Sequence, residues 1–148
     1  MKRILPLLPL ALIGTSPLTA VADPVWIWSK KNAENNEKAD FRTSFNAPSD
    51  LKSATLKFTC DNGAKAILNG KVVGENPDWQ QPTSVDVKKL LVSGKNEIVI
   101  EAKNQGGVAA LVAVLEVEDA SGKKYTLIET SDKWESAQHG NSDWKPAV

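Results

Sequence analysis

Cys60 is the only cysteine, so no internal disulfide can form and the fold must rest on an apolar core. It ends a strand-like run after Phe58 and Thr59. It reads as a small buried residue, against the alternatives of an intermolecular bridge or a reactive thiol. His139 is the only histidine, which excludes a histidine-based metal site. A Cys–His catalytic pair would have to join Cys60 to His139, which lies in a polar Gln-His-Gly-Asn stretch. Charge of one sign is absent as well: 18 basic residues balance 18 acidic ones. Nucleic acid and anionic membrane both ask for a basic surface, and the composition offers none. There is no Gly-x-Ser-x-Gly, no His-Glu-x-x-His, no phosphate-binding loop, no internal repeat and no low-complexity segment.

The first residues are not expected to be part of the folded domain. Lys2 and Arg3 form a positive start, residues 4–13 an apolar run broken by Pro6 and Pro9, and Ala20-Val21-Ala22 a small-residue cleavage site. This is the pattern of a secretory signal peptide over residues 1–22, cut between Ala22 and Asp23. A retained anchor is the competing reading, but the run is about half the roughly 20 residues that a span needs. No cysteine stands at the cut to carry a lipid, and no later segment could insert the mature chain in a membrane. Loss of Lys2 and Arg3 turns the balanced charge into a formal −2. The expected compartment is periplasmic or extracellular, and residues 23–148 are expected to form one domain with its core over about 25–136.

The best local signal is residues 61–74, DNGAKAILNGKVVG. Two short runs flank Asn69 and Gly70, the pair that best tolerates the positive φ angles of a type I′ hairpin turn. Residues 25–28, Val-Trp-Ile-Trp, are apolar on both faces and read as a strand covered on both sides, with Trp26 and Trp28 on one face. Residues 40–45 alternate, and so do residues 53–60, where Ala54, Leu56, Phe58 and Cys60 face inward and Thr55, Lys57 and Thr59 outward. Residues 84–91 suggest a short strand and a helical turn. Residues 97–103 place Ile98, Ile100 and Ala102 on one face. Residues 108–118 are long enough for a helix, but their valines and glycine-rich flanks favour a central strand. Residues 125–128 and a short run after Trp134 add two more strands. About eight or nine short strands without a convincing helix point to an all-β antiparallel sandwich or jelly roll.

The order of these stretches resembles the galactose-binding-like β-sandwich modules that accompany bacterial rhamnosidase and β-galactosidase catalytic domains. The stretches are Trp-Ile-Trp, Phe-Arg-Thr-Ser-Phe, the hairpin Asp61 to Gly74, Gly-Lys-Asn-Glu-Ile-Val-Ile-Glu-Ala-Lys-Asn and Ala-Ala-Leu-Val-Ala-Val-Leu. The resemblance covers residues 25–135, and its most specific part, the hairpin, is structural. It implies a module that binds sugars or other ligands through loops at one edge, in some relatives holds a structural calcium, and in many only spaces an enzyme domain. Its binding residues vary too widely to be transferred.

For sugar recognition the residues themselves offer the loop of residues 75–83, ENPDWQQPT. Aromatic faces stack on pyranose rings while amides and carboxylates bond the hydroxyls. Trp79 is the candidate platform, with Asn76, Asp78, Gln80 and Gln81 beside it. The alternative folds Trp79 back as a lid on the core. Trp26, Trp28 and Trp134 read as core or edge packing, and Trp144 is undecided. For calcium, Asp40, Asp61, Asn62 and Glu118 are the candidate oxygen donors. A glycosidase would need two flanking carboxylates, and Asp61, Asp78 and Asp86 could approach one another near the hairpin and its following loop; solvated turn carboxylates are the simpler reading. The sequence therefore leads to a non-catalytic exported module that binds carbohydrate. The alternative is a structural or protein-interaction module without sugar affinity.

Overall fold

The computed structural model describes residues 23–148; the expected leader, residues 1–22 with Ala22 of the cleavage site, lies outside the described residues. Ten strands form two antiparallel sheets: β1 Lys38–Ala47, β2 Ser53–Asp61, β3 Gly63–Leu68, β4 Lys71–Asn76, β5 Thr83–Asp86, β6 Gly94–Lys103, β7 Ala110–Glu118, β8 Lys124–Glu129, β9 Glu135–Gln138 and β10 Lys145–Pro146. The larger sheet runs β10-β9-β1-β6-β3-β4 and the smaller β5-β2-β7-β8. Between β5 and β6 lies one 3₁₀ turn, Lys88–Leu90. No helix among the described residues is long and apolar enough to cross a membrane. The fold class is the expected antiparallel β-sandwich. Only three connections, β3–β4, β7–β8 and β9–β10, stay within one sheet; the others pass from one sheet to the other.

Alternation explains the layers. Phe41 and Phe45 of β1 and Ile98 and Ile100 of β6 face Leu56 and Phe58 of β2 and Leu111 and Leu115 of β7, all buried. Each such side chain contributes roughly 2 kcal/mol on leaving water. The expected hairpin is present: Asn69 has φ 49° and Gly70 φ 80°. Asn69 also ties this turn to the next, donating from Nδ2 to Leu90 O and to Asn96 Oδ1. Gly74 of the same hairpin lies where β4 crosses β5. A Cβ there would stand 3.0 Å from Val85 Cγ2, so any larger residue would have to push that side chain aside.

Two sequence expectations need correction. Residues 25–28 are not a strand covered on both sides. They make a single bridge, Ile27 to Leu111, so Ile27 and Trp28 are buried while Val25 and Trp26 are half exposed. Thr59 does point to the outer face of its sheet, but it is only 4% exposed because the β4–β5 loop covers it. Trp28 packs on Phe41 with ring centroids 5.4 Å apart, and Trp134 is 2% exposed.

Cys60 faces the core, fully buried, and burial pushes its thiol up to about 11 from an ordinary 9.0. Because the folded value is raised, the thiol's contribution to stability is complete below pH 9.0 and is lost as pH rises through about 11. We expect a soluble aromatic disulfide reagent at pH 8 to leave the native thiol unmodified for hours and to label it within minutes in denaturant. Fast labelling of the native protein would show that this end of β2 opens.

Candidate functional site

The loop of residues 77–82 leaves β4 in the larger sheet and enters β5 in the smaller one. One side chain fastens it. Asn76, 1% exposed, accepts at Oδ1 from Thr59 Oγ1 at 3.0 Å and from Cys60 N at 3.2 Å. Its Nδ2 donates to Gln81 O at 2.9 Å, to Asp78 O at 3.2 Å and towards Thr83 Oγ1 at 3.3 Å. Asn76 was expected in the ligand-binding set; its burial makes it the loop's anchor, with no surface left for a ligand. Asp78 closes a small turn, accepting from Gln80 N at 3.0 Å and from Gln81 Nε2 at 3.1 Å. Thr59 Oγ1 also lies 2.8 Å from Trp79 O. The backbone on both sides of Trp79 is thus pinned, at Asp78 O and Gln81 O, while the indole stays 45% exposed, so it is not a lid on the core. Gln80 and Gln81 are exposed beside it.

A second tryptophan, read from the sequence as packing, belongs to the same face. Thr59 pairs with Val112, and the bridge from Ile27 to Leu111 sets Trp26 in the next position of that row. Since Ile27 points inward, Trp26 points outward, and it is 52% exposed. At about 4.8 Å per strand, Trp26 lies about 10 Å from Thr59, on the other side of β7. Trp26 therefore stands across Val112 from Thr59, the residue that contacts the backbone of the Trp79 loop. The signal in the sequence was the parity of residues 26 and 27; its weight was hidden because nothing local says which face lacks a cover.

The other candidate residues are scattered. Glu118 pairs with Ser53 and Asp61 with Ala110, which separates the two acids by roughly 25 Å along the sheet. Asp40 is on the other sheet, hydrogen-bonded to His139 Nδ1 at 2.8 Å. Asn62 Oδ1 accepts from Gln105 N at 2.7 Å. The four proposed calcium donors Asp40, Asp61, Asn62 and Glu118 are thus not gathered, and no three His, Cys, Asp or Glu side chains among the described residues are placed to hold a metal. Asp86 pairs with Thr55, roughly 20 Å along β2 from Asp61. Asp78 is engaged within its own loop, so the carboxylates considered for hydrolysis do not face one another. Cys60 faces the core and His139 is on the outer face of the larger sheet, so they form no pair. Trp144 lies over the Arg42 guanidinium, 4.0 Å from ring centroid to carbon, and Arg42 Nε donates to Glu135 at 2.8 Å.

No protein-family model matches the sequence, and no curated protein sequence does so either. Solved structures do. An α-L-rhamnosidase of Streptomyces avermitilis, in complex with L-rhamnose, is 26% identical with a TM-score of 0.74 over 82% of this chain and 14% of the enzyme. An α-L-rhamnosidase of Aspergillus terreus is 25% identical with a TM-score of 0.69 over 78% of this chain and 17% of that one. A lectin of Pleurotus ostreatus, in complex with GalNAc, shares the fold at 21% identity and a TM-score of 0.67, over 82% of this chain and 40% of the lectin. The chain thus spans a small part of each rhamnosidase. In three dimensions, as in sequence, it resembles a galactose-binding-like β-sandwich module that occurs within rhamnosidases.

Proposed function

We propose that the chain is a non-catalytic, exported carbohydrate-binding module, and that its contact surface is the Trp79 loop together with Trp26. The observation that carries this reading is a half-exposed indole on a backbone pinned by a buried amide. A platform that is already rigid loses little entropy when a ring stacks on it. The indole faces would cover the C–H face of pyranose rings, while the amides of Gln80 and Gln81 and the outer edge of Asp78 bond hydroxyls. Neutral amides beside neutral indoles favour an uncharged sugar. The similarity to parts of rhamnosidases and to a lectin supports the carbohydrate reading. The leader would deliver the chain to the periplasm or the medium.

Protein recovered from the exported fraction, whose first residue should be Asp23, serves for the test. Its tryptophan fluorescence is titrated with neutral mono- and oligosaccharides. A saturable change is expected, weakened about tenfold by Trp79→Ala, the loss of about 1.4 kcal/mol of stacking. No response to any sugar, with an unaltered Trp79→Ala variant, would overturn the reading and leave the structural or protein-interaction module.

A further inference from the structure

The outer face of the larger sheet holds a groove of about 270 Å³ that shares only the root of the Trp79 loop, at Asn76 and Pro77. Two rows of residues cross it. In one, register places Asp40 opposite Glu101, Glu101 opposite Lys65 and Lys65 opposite Glu75. This row sets one lysine among three carboxylates: Lys65 is paired with Glu101 and Asp40 lies against His139, while Glu75 has no ion-pair partner among the described residues. The neighbouring row is different. Lys38 of β1 stands directly opposite Lys103 of β6, and Lys103 opposite Gly63 of β3. Like charges in directly opposed positions oppose sheet formation. Among the described residues neither Lys38 nor Lys103 has an ion-pair partner, as is true of most of the surface lysines; what sets these two apart is that they stand directly opposite each other. Gly63 leaves the third position of the row bare. A Cβ there would sit 2.9 Å from Lys103 Cε and 3.3 Å from Asn76 O, so the lysine lies across the glycine and the groove is open above it.

A place with two unneutralised ammonium groups takes an anion. The groove is not built for a simple one, however, because Glu75 and Glu101 line the same space and would repel it. Carboxylates there suit a ligand that also brings hydroxyl hydrogens to donate. We propose that this groove binds an acidic saccharide, a uronic acid residue whose carboxylate lies between Lys38 and Lys103 and whose hydroxyls donate to Glu75 and Glu101. It is a second site, separate from the neutral-sugar surface around Trp79. A groove of 270 Å³ accommodates one such ring, with the rest of a chain passing over the open sides.

Calorimetric titration with glucuronate and galacturonate, their neutral parents glucose and galactose, and acetate and sulfate tests this directly. In the Trp79→Ala variant, where the neutral-sugar surface is weakened, uronate should bind at least about tenfold more tightly than the neutral sugar and than either small anion, and added salt should weaken it. Lys38→Ala and Lys103→Ala should each lower uronate affinity about tenfold. Both residues are exposed, and removing one of two opposed ammonium groups should leave the melting temperature level or higher. Trp79→Ala should leave uronate binding unchanged, so loss of the neutral-sugar site and loss of this one are separately visible. Equal binding of neutral sugars by the Trp79→Ala variant, equal binding of acetate or sulfate, or unchanged uronate affinity in both lysine variants would each overturn the proposal.

Discussion

Replacing Asn76 by alanine should lower stability by about 3 kcal/mol and the melting temperature by about 10 °C. The side chain, carried by β4 of the larger sheet, is buried and holds partners in the smaller sheet and in the loop. Its loss strands the Cys60 N–H in the interior, and an unpaired buried donor costs about 1–3 kcal/mol. It also frees the carbonyls of Asp78 and Gln81, which face outward enough for water to replace the amide. The consequence for function should exceed what contact would suggest. Asn76 cannot touch a ligand at Trp79, yet the variant should bind neutral sugar more weakly, because the indole's backbone is then free to move. Asn76→Asp separates the two halves of the amide: the acceptor for Cys60 N remains and the donors to the loop are lost. At neutral pH it also buries a carboxylate against the carbonyls of Asp78 and Gln81, so it should be at least as destabilising as alanine in a urea melt. A melting temperature within about 2 °C of wild type for Asn76→Ala would mean that the loop is held by something other than this residue.

Much of the sandwich was legible because its signals are local. The alternation in residues 40–45, 53–60 and 97–103 states which side chains face the core, and Asn69-Gly70 states where the chain turns back. Residues 25–28 misled because an apolar tetrapeptide says nothing about whether a second sheet edge exists to cover it. Only the departure of the chain after one bridge exposes Trp26. Thr59 and Asn76 show a second limit. Alternation sets the direction of Thr59 correctly, but its burial comes from Asn76, seventeen residues later in the sequence, and the loop that follows it, as the Thr59–Asn76 bond records. Asn76 looks like any loop asparagine until three segments converge on it. The lysine pair is the extreme case. Lys38 and Lys103 are ordinary surface residues in sequence, and their opposition exists only in the register between β1 and β6.

Trp134→Ala should be the most destabilising single change that leaves the sugar surface intact, at about 4 kcal/mol. A typical domain has only about 5–15 kcal/mol in total, so the variant would be folded in buffer but should unfold at far lower urea. The indole is 2% exposed in the crossover from β8 to β9, and its Nε1 donates to Glu129 O at 2.9 Å. Its backbone carbonyl accepts from Ala147 N at 2.8 Å, so the same residue fixes the returning C-terminal segment. Truncation removes the ring's packing and leaves the Glu129 carbonyl without its donor. Trp134→Phe keeps most of the volume and loses only the donor, and should cost about 1–2 kcal/mol. The two variants together divide packing from hydrogen bonding. Below its melting temperature Trp134→Ala should still respond to neutral sugar through Trp79, because the two indoles lie on different parts of the sandwich. A loss of the response in the fully folded variant would place the sugar against the crossover and away from the β4–β5 loop.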